Sequence, residues 1–274
     1  MGTYDIIVLD LDGTLTNSQK KITPKTKDAL MKAQCAGKKV VLASGRPTGG
    51  VTGLADELKL DLYGSYILSF NGGIITECGT KNVLYGKTLP PEVPGKVYEL
   101  AQKYQTAMMT YQDQYIITET PDNYYVQKEV LCTKMIPKKV ENLKEYVNFP
   151  VVKCLMMERG VYLADVEKKV QELFGDELSV FRSEPYFLEI MPKGIDKAKS
   201  LKRLLDIVGM DRKEMAAFGD GFNDKSMLMF AGCGVAMENG QAAVKAIADY
   251  VAPSNEEDGV AYVVERWLDG EPLI

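Results

Sequence analysis

The run Ile6-Ile7-Val8-Leu9-Asp10-Leu11-Asp12-Gly13-Thr14 lies almost at the start of the chain. Four apolar residues ending on an acid suit a buried strand with polar chemistry at its C-terminal end. Beyond it, Thr23 and Pro24 supply an N-cap and a first-turn proline for a helix that Gly37 closes. Residues 40–43 read as the next strand and stop at Ser44-Gly45-Arg46-Pro47. A helix near 51–58 leads to a strand over 66–70, which ends at Asn71-Gly72-Gly73. This alternation is the rhythm of a parallel sheet with helical crossovers.

The same rhythm resumes near the C-terminus. Helices are expected over 198–208, 224–230, 242–248 and 259–268, with strands over 215–218, 234–237 and 250–252. From about 85 to 191 the texture changes. β-rich runs at 107–111, 114–118, 151–157, 178–181 and 186–190 interleave with helices expected over 92–104, 138–146 and 166–174. The expected fold is therefore α/β, a Rossmann-like parallel-sheet core of residues 1–84 and 192–274. An α+β domain is inserted over 85–191, with hinges at Pro90-Pro91 and Pro192-Lys193-Gly194.

Composition removes whole mechanisms. The 274 residues include no histidine, which excludes a Ser-His-Asp triad, a Cys-His pair, phosphohistidine and His-ligated zinc or haem. Proton transfer near neutral pH falls to carboxylates, Lys, Tyr, Cys or a metal-bound water. The 33 Lys and Arg against 38 Asp and Glu give a net charge of −5, which argues against a nucleic-acid partner. Five scattered cysteines with no CxxC pair, no signal-peptide pattern and no apolar run long enough to span a membrane lead to the expectation of a soluble cytoplasmic protein.

Four segments can carry chemistry. In Asp10-Leu11-Asp12-Gly13-Thr14, two carboxylates leave the first strand towards the crevice where open α/β sheets bind ligands. An Asx turn is the plainer reading of that segment alone. A calcium EF-hand loop fails, because Leu15 stands where that loop needs Gly and Lys21 where it needs Glu. Gly219-Asp220-Gly221-Phe222-Asn223-Asp224 is also a strand end opening a helix, and taken alone its acids read more plainly as helix caps. Lys197 and the turn Ser44-Gly45-Arg46 complete the set, as donors for an anionic group. All four fall at one edge of the expected sheet. Asp10, Asp12, Asp220 and Asp224 would crowd up to four negative charges there, and each pair ~4 Å apart repels by ~4 kcal/mol at an effective dielectric of ~20. Such a cluster calls for a hard cation such as Mg²⁺.

These segments, in this order and spacing, resemble the four motifs of the haloacid dehalogenase-like phosphohydrolases. The carrying residues are Asp10-Leu11-Asp12-Gly13-Thr14-Leu15, Ser44-Gly45-Arg46-Pro47, Lys193-Gly194-Ile195-Asp196-Lys197 and Gly219-Asp220-Gly221-Phe222-Asn223-Asp224-Lys225-Ser226-Met227-Leu228. Within that superfamily the chain is similar to the Cof-type sugar phosphatases, whose α/β cap is inserted between the second and third motifs. The resemblance implies that Asp10 is the nucleophile, forming an aspartyl-phosphate, and that Asp12 is the general acid and later the base. It implies that Leu11, Ser44, Gly45, Lys197 and Asn223 hold the phosphoryl group. Mg²⁺ would be bound by Asp10, Asp220 and the backbone carbonyl of Asp12, with Asp224 orienting the metal shell or Lys197. Ser44 stands where many relatives carry Thr and keeps the hydroxyl.

The expected activity is Mg²⁺-dependent hydrolysis of small phosphorylated metabolites, sugar phosphates above all, with no nucleic-acid or membrane partner. A hexose phosphomutase is the alternative. A phospho-accepting receiver domain is shorter than this chain and needs no acid two residues after the nucleophile. A non-catalytic binding protein would not need every catalytic position filled. Specificity is expected to lie in 85–191, and Asn71-Gly72 reads either as a ligand-facing loop or as a hairpin turn.

Overall fold

In the computed structural model, which describes residues 4–271, β1 (Ile6–Leu9) is a fully buried strand inside an eight-stranded sheet. It is followed by α1 (Pro24–Cys35), β2 (Lys39–Ala43), α2 (Gly49–Glu57), β3 (Tyr66–Ser69), β4 (Ile74–Glu77) and β5 (Val83–Gly86). Then come α3 (Val93–Lys103), β6 (Ala107–Gln112), β7 (Tyr115–Thr118), α4 (Tyr124–Thr133), β8 (Ile136–Lys139) and α5 (Leu143–Tyr146). They are followed by β9 (Cys154–Met157), α6 (Gly160–Phe174), β10 (Leu178–Glu184) and β11 (Phe187–Pro192). The chain continues through α7 (Lys197–Val208), β12 (Met215–Gly219), α8 (Lys225–Phe230), β13 (Cys233–Met237), α9 (Ala242–Lys245), β14 (Tyr250–Ala252) and α10 (Gly259–Leu268). Two compact units result. One holds the residues up to 46, 51–85 and those from 196 onward; the other holds 47–50 and 86–195.

The sheet of the first unit has the order β14-β13-β12-β1-β2-β3-β4-β5. Pairing is parallel from β14 to β3 and antiparallel between β3 and β4. Both faces are covered. Ile7, Leu9, Val40, Leu42 and Phe218 pack with residues of α1, α2 and α10 on one side. Ile6, Val8, Val41, Met215 and Ala217 pack with α7 and α8 on the other. Burial on both faces is why β1 and β2 are continuous apolar runs rather than alternating ones.

The second unit is the expected α+β insert, with sheet order β10-β11-β9-β6-β7-β8 and antiparallel pairing except between β7 and β8. Val97 of α3 and Leu163, Val166 and Val170 of α6 bury Met108, Cys154, Met156, Leu188 and Ile190 on one sheet face. Residues 47–50 group with this unit because Gly49 lies against β6–β7. A Cβ there would come within 2.5 Å of the Asp113 carbonyl oxygen.

Several local expectations are corrected. Residues 138–146 are not one helix: Lys138 and Lys139 end β8, paired with β7, and only Leu143–Tyr146 is helical. Asn142 caps that short helix, its side-chain oxygen accepting from the Glu145 N–H at 3.1 Å, which separates it from the strand. The helix expected over 242–248 is confined to Ala242–Lys245. Sequence periodicity also missed β4, β5, β8 and α4. In α4, the pair Tyr124-Tyr125 and the β-branched Val126 and Val130 blur a helical pattern. Among the described residues, no helix is long and apolar enough to cross a membrane.

Candidate active site

Strand register brings three turns to one edge of the first unit. Leu9 pairs with Leu42 of β2 and Phe218 of β12, so Asp10, Ser44 and Asp220 follow within two residues at the ends of three adjacent parallel strands. The Asp10 N–H continues the ladder, donating to the Phe218 carbonyl at 3.1 Å. The chain then turns sharply, with the Leu15 N–H on the Asp10 carbonyl and the Thr16 N–H on the Leu11 carbonyl. Gly13 sits in this turn at φ +92°, and a Cβ there would strike the Asp220 carboxylate. Glycine is what lets the first and fourth motifs touch. Thr14 secures the contact, its hydroxyl donating to Asp220 Oδ1 at 3.0 Å.

Lys197, the first residue of α7, is positioned by Asp196, whose side chain caps the helix by accepting from the Lys199 N–H at 3.0 Å. Its buried ammonium donates to Asp10 Oδ1 and Asp224 Oδ1, each at 2.6 Å. The other oxygen of Asp224 accepts the N–H groups of Asp220 and Gly221 at 3.0 and 2.9 Å. Asp224 is thereby fully tied into the protein, whereas Asp10 Oδ2 accepts no hydrogen bond among the described residues.

Asp10, Asp220 and Asp224 each place a carboxylate oxygen within 4.8 Å of the others. Three acids thus face one ammonium. Burial, with repulsion from Asp224 and Asp220, pushes the Asp10 carboxyl up to about 8 although Lys197 pulls it down. Burial and Asp224 push Asp220 up to about 6, against the Thr14 hydrogen bond. Burial disfavours charge on Lys197, but its two carboxylate partners outweigh that and hold it protonated. Carboxyls that keep protons for want of positive charge, all with oxygen donors, fit a hard divalent cation.

Asp12 departs from the expected crowd of four acids. Its carboxylate is gripped by Arg46, with Nε on Oδ2 at 2.8 Å and Nη2 on Oδ1 at 2.6 Å, and by Lys20 Nζ on Oδ1 at 2.7 Å. Partial burial would raise its pKa, yet the Arg46 and Lys20 hydrogen bonds prevail and hold it below the usual carboxylate range. The acid cluster is therefore three strong, with Asp12 neutralised beside it. Sequence reasoning quoted Arg46 without giving it a role and passed over Lys20. Arg46 had a signal, following a strand end in the same turn as Ser44; Lys20 had none.

Ser44 is buried, and its oxygen accepts the Arg46 N–H at 3.1 Å, which leaves the hydroxyl proton to donate outward. Asn71 ties the second motif to the fourth. Its N–H donates to the Ser44 carbonyl at 2.8 Å, and its side-chain oxygen accepts from Asn223 Nδ2 at 3.1 Å. A Cβ on Gly45 would sit 3.3 Å from the Asn71 amide. Phe70–Gly72 is a tight turn joining β3 to β4, as the hairpin reading of Asn71-Gly72 expects, and the Asn71 side chain meets Asn223 from it. Leu11 is buried, with its carbonyl held by the Thr16 hydroxyl at 2.9 Å.

A family model described as haloacid dehalogenase-like hydrolase matches residues 7–264. A crystal structure of a haloacid dehalogenase-like hydrolase from Bacteroides thetaiotaomicron is similar at a TM-score of 0.95 and 46% identity, covering 96% of this chain and 99% of that one. The subclass IIB sugar phosphatase BT4131 is similar at a TM-score of 0.77 and 26% identity, over 96% of this chain and 98% of that one. The 5-amino-6-(5-phospho-D-ribitylamino)uracil phosphatase YitU of Bacillus subtilis is 28% identical over 268 residues, 96% of this chain and 97% of its own.

Proposed function

The chain belongs to the haloacid dehalogenase-like hydrolases and is a phosphatase, and we propose that it hydrolyses small phosphorylated metabolites, sugar phosphates foremost, through a phosphoryl group carried on Asp10. The observation that carries this reading is the Lys197 ammonium bonded at 2.6 Å to both Asp10 and Asp224, with Asp10 Oδ2 left open. Kinship to a sugar phosphatase and to a phosphoribityl phosphatase supports the substrate class.

In this mechanism Asp10 Oδ2 attacks phosphorus while the bond to the leaving oxygen breaks, and Asp12 delivers a proton to that oxygen. Asp12 then takes a proton from water, whose oxygen attacks the same phosphorus, and the bond to Asp10 breaks to release inorganic phosphate. Splitting the reaction at a covalent stage replaces one very high barrier by two lower ones. Lys197 holds Oδ1 so that Oδ2 faces the phosphorus, and Asp224 holds Lys197 in turn. The Ser44 hydroxyl, the N–H groups of Gly45 and Leu11, and the Asn223 amide donate to phosphoryl oxygens, where preorganised donors count most. Asp12 has no proton to give while Arg46 and Lys20 hold it ionised, so its carboxyl must first leave those bonds and take up a proton from solvent, which it then passes to the leaving oxygen. Mg²⁺, held by Asp10, Asp220 and the Asp12 carbonyl, would supply charge neutralisation of the phosphoryl oxygens.

Choice of the leaving group is assigned to the inserted unit, and the cytoplasm is taken as the site of action, in keeping with cysteines scattered along the chain with no CxxC pair. The test is phosphate release across a panel of phosphometabolites with Mg²⁺ and with EDTA. Sugar phosphates are expected to lead the panel and EDTA to abolish release, while Asp10→Asn loses roughly 10³-fold or more. Wild-type turnover in that variant would overturn the nucleophile assignment.

A further inference from the structure

The inserted unit contains a cavity of about 360 Å³ at one end of its sheet, built by α3, the start of β6, the ends of β7 and β9 and the loop before α4. That volume lies in the range of small-molecule sites. Thr106 lines it, is 7% exposed, and has a buried hydroxyl oxygen that meets no hydrogen-bond partner. Buried hydroxyls are almost always paired, so an orphan on a cavity wall points to a missing partner.

The remaining wall chemistry says what that partner is. Gln102, Gln105 and Asn123 offer carboxamides, Glu119 and Glu158 offer carboxylates, and no Lys or Arg lines the cavity. Both acids are held in place, Glu119 Oε1 by the Leu143 N–H at 2.8 Å and Glu158 Oε1 by the Arg159 N–H at 2.9 Å. Each keeps a second oxygen and further lone pairs for a ligand. Arg159, 3.6 Å from Glu158, points its side chain to solvent and is not part of the wall. Two carboxylates against the single, solvent-exposed guanidinium of Arg159 leave the wall net negative, so it repels an anion and favours an ammonium, while carboxamides and a hydroxyl pair with sugar hydroxyls. We propose that this cavity is a second site, independent of the phosphatase reading, that binds a small polyhydroxylated amine of amino-sugar size.

Isothermal titration of the full-length chain with D-glucosamine, D-glucose and D-gluconate, an anion with no phosphoester for the Asp10 site, tests it. Glucosamine is expected to bind most tightly and gluconate least. Glu158→Gln is expected to weaken glucosamine about fivefold and to erase its advantage over glucose. Thr106→Val is expected to weaken glucosamine about threefold while raising the melting temperature, since it removes an unpaired buried hydroxyl; these opposite signs separate lost binding from lost folding. Asp10→Asn is expected to bind glucosamine as wild type does. The proposal is overturned if glucosamine fails to bind up to about 100 mM, if glucose or gluconate binds as well, or if neither cavity variant weakens glucosamine.

Discussion

Removing the Lys197 ammonium would leave the Asp10 and Asp224 carboxylates facing each other out of water. Breaking a buried pair from one side costs about 3–5 kcal/mol, so Lys197→Met is expected to lower unfolding free energy by that order and to abolish turnover. Urea denaturation beside a phosphate-release assay measures both. Gly13→Ala is a finer probe, because a methyl at φ +92° strikes the Asp220 carboxylate. A loss of about 1–2 kcal/mol is expected, together with a higher Mg²⁺ requirement that a Mg²⁺ titration of activity would show. The acids and Lys197 were legible as residue types because their chemistry needs those types at strand ends. The pairing of Asp12 with Arg46 and Lys20 was not, since no spacing along the chain reveals which cation a side chain meets.

Among elements, α7 joins stability to function through its first turn. Asp196 caps the helix and Lys197 follows at once, so Asp196→Ala is expected to cost about 1 kcal/mol and to reduce turnover by loosening Lys197. Asp196→Ser or Asp196→Asn should restore both, which thermal melts and kinetics would check. The core strands were readable because burial on both faces makes them solid apolar runs. By contrast, β8 was missed, and its last two residues were read into the helix expected over 138–146, because Ile136–Lys139 has one exposed apolar residue and two lysines and its strand identity comes from pairing with β7. Nonlocal pairing of that kind leaves little trace in local composition.

At the level of the whole molecule, each unit has its own hydrophobic core and at least one buried thiol, the first holding Cys233 as well as Cys78. Cys78 lies in the first unit and Cys154 in the second, and burial pushes both thiols up to about 12. A raised thiol pKa keeps the unreactive protonated form throughout the range around pH 8. Iodoacetamide at that pH is therefore expected to label exposed Cys35 in the native chain and to leave Cys78 and Cys154 unmodified. In rising urea the latter two are expected to become reactive at different concentrations, one for each unit, as mass spectrometry of peptides would show. The presence of an α+β insert in an α/β fold was visible beforehand as a change of texture. The grouping of 47–50 with the insert was not, because it rests on the close backbone approach at Gly49.

The position of β1 also dictates an order of events as the chain leaves the ribosome. β1 precedes both β2 and β12 in the chain but lies between them in the sheet, and Asp10 waits for a lysine 187 positions later. The sheet of the inserted unit draws its strands from one continuous stretch and can close while β1 still has an open edge. Nascent chains halted before β12 emerges are therefore expected to protect the insert from protease while β1 remains cleavable. Asp10 is made well before Lys197, Asp220 and Asp224 and meets them only once they have emerged.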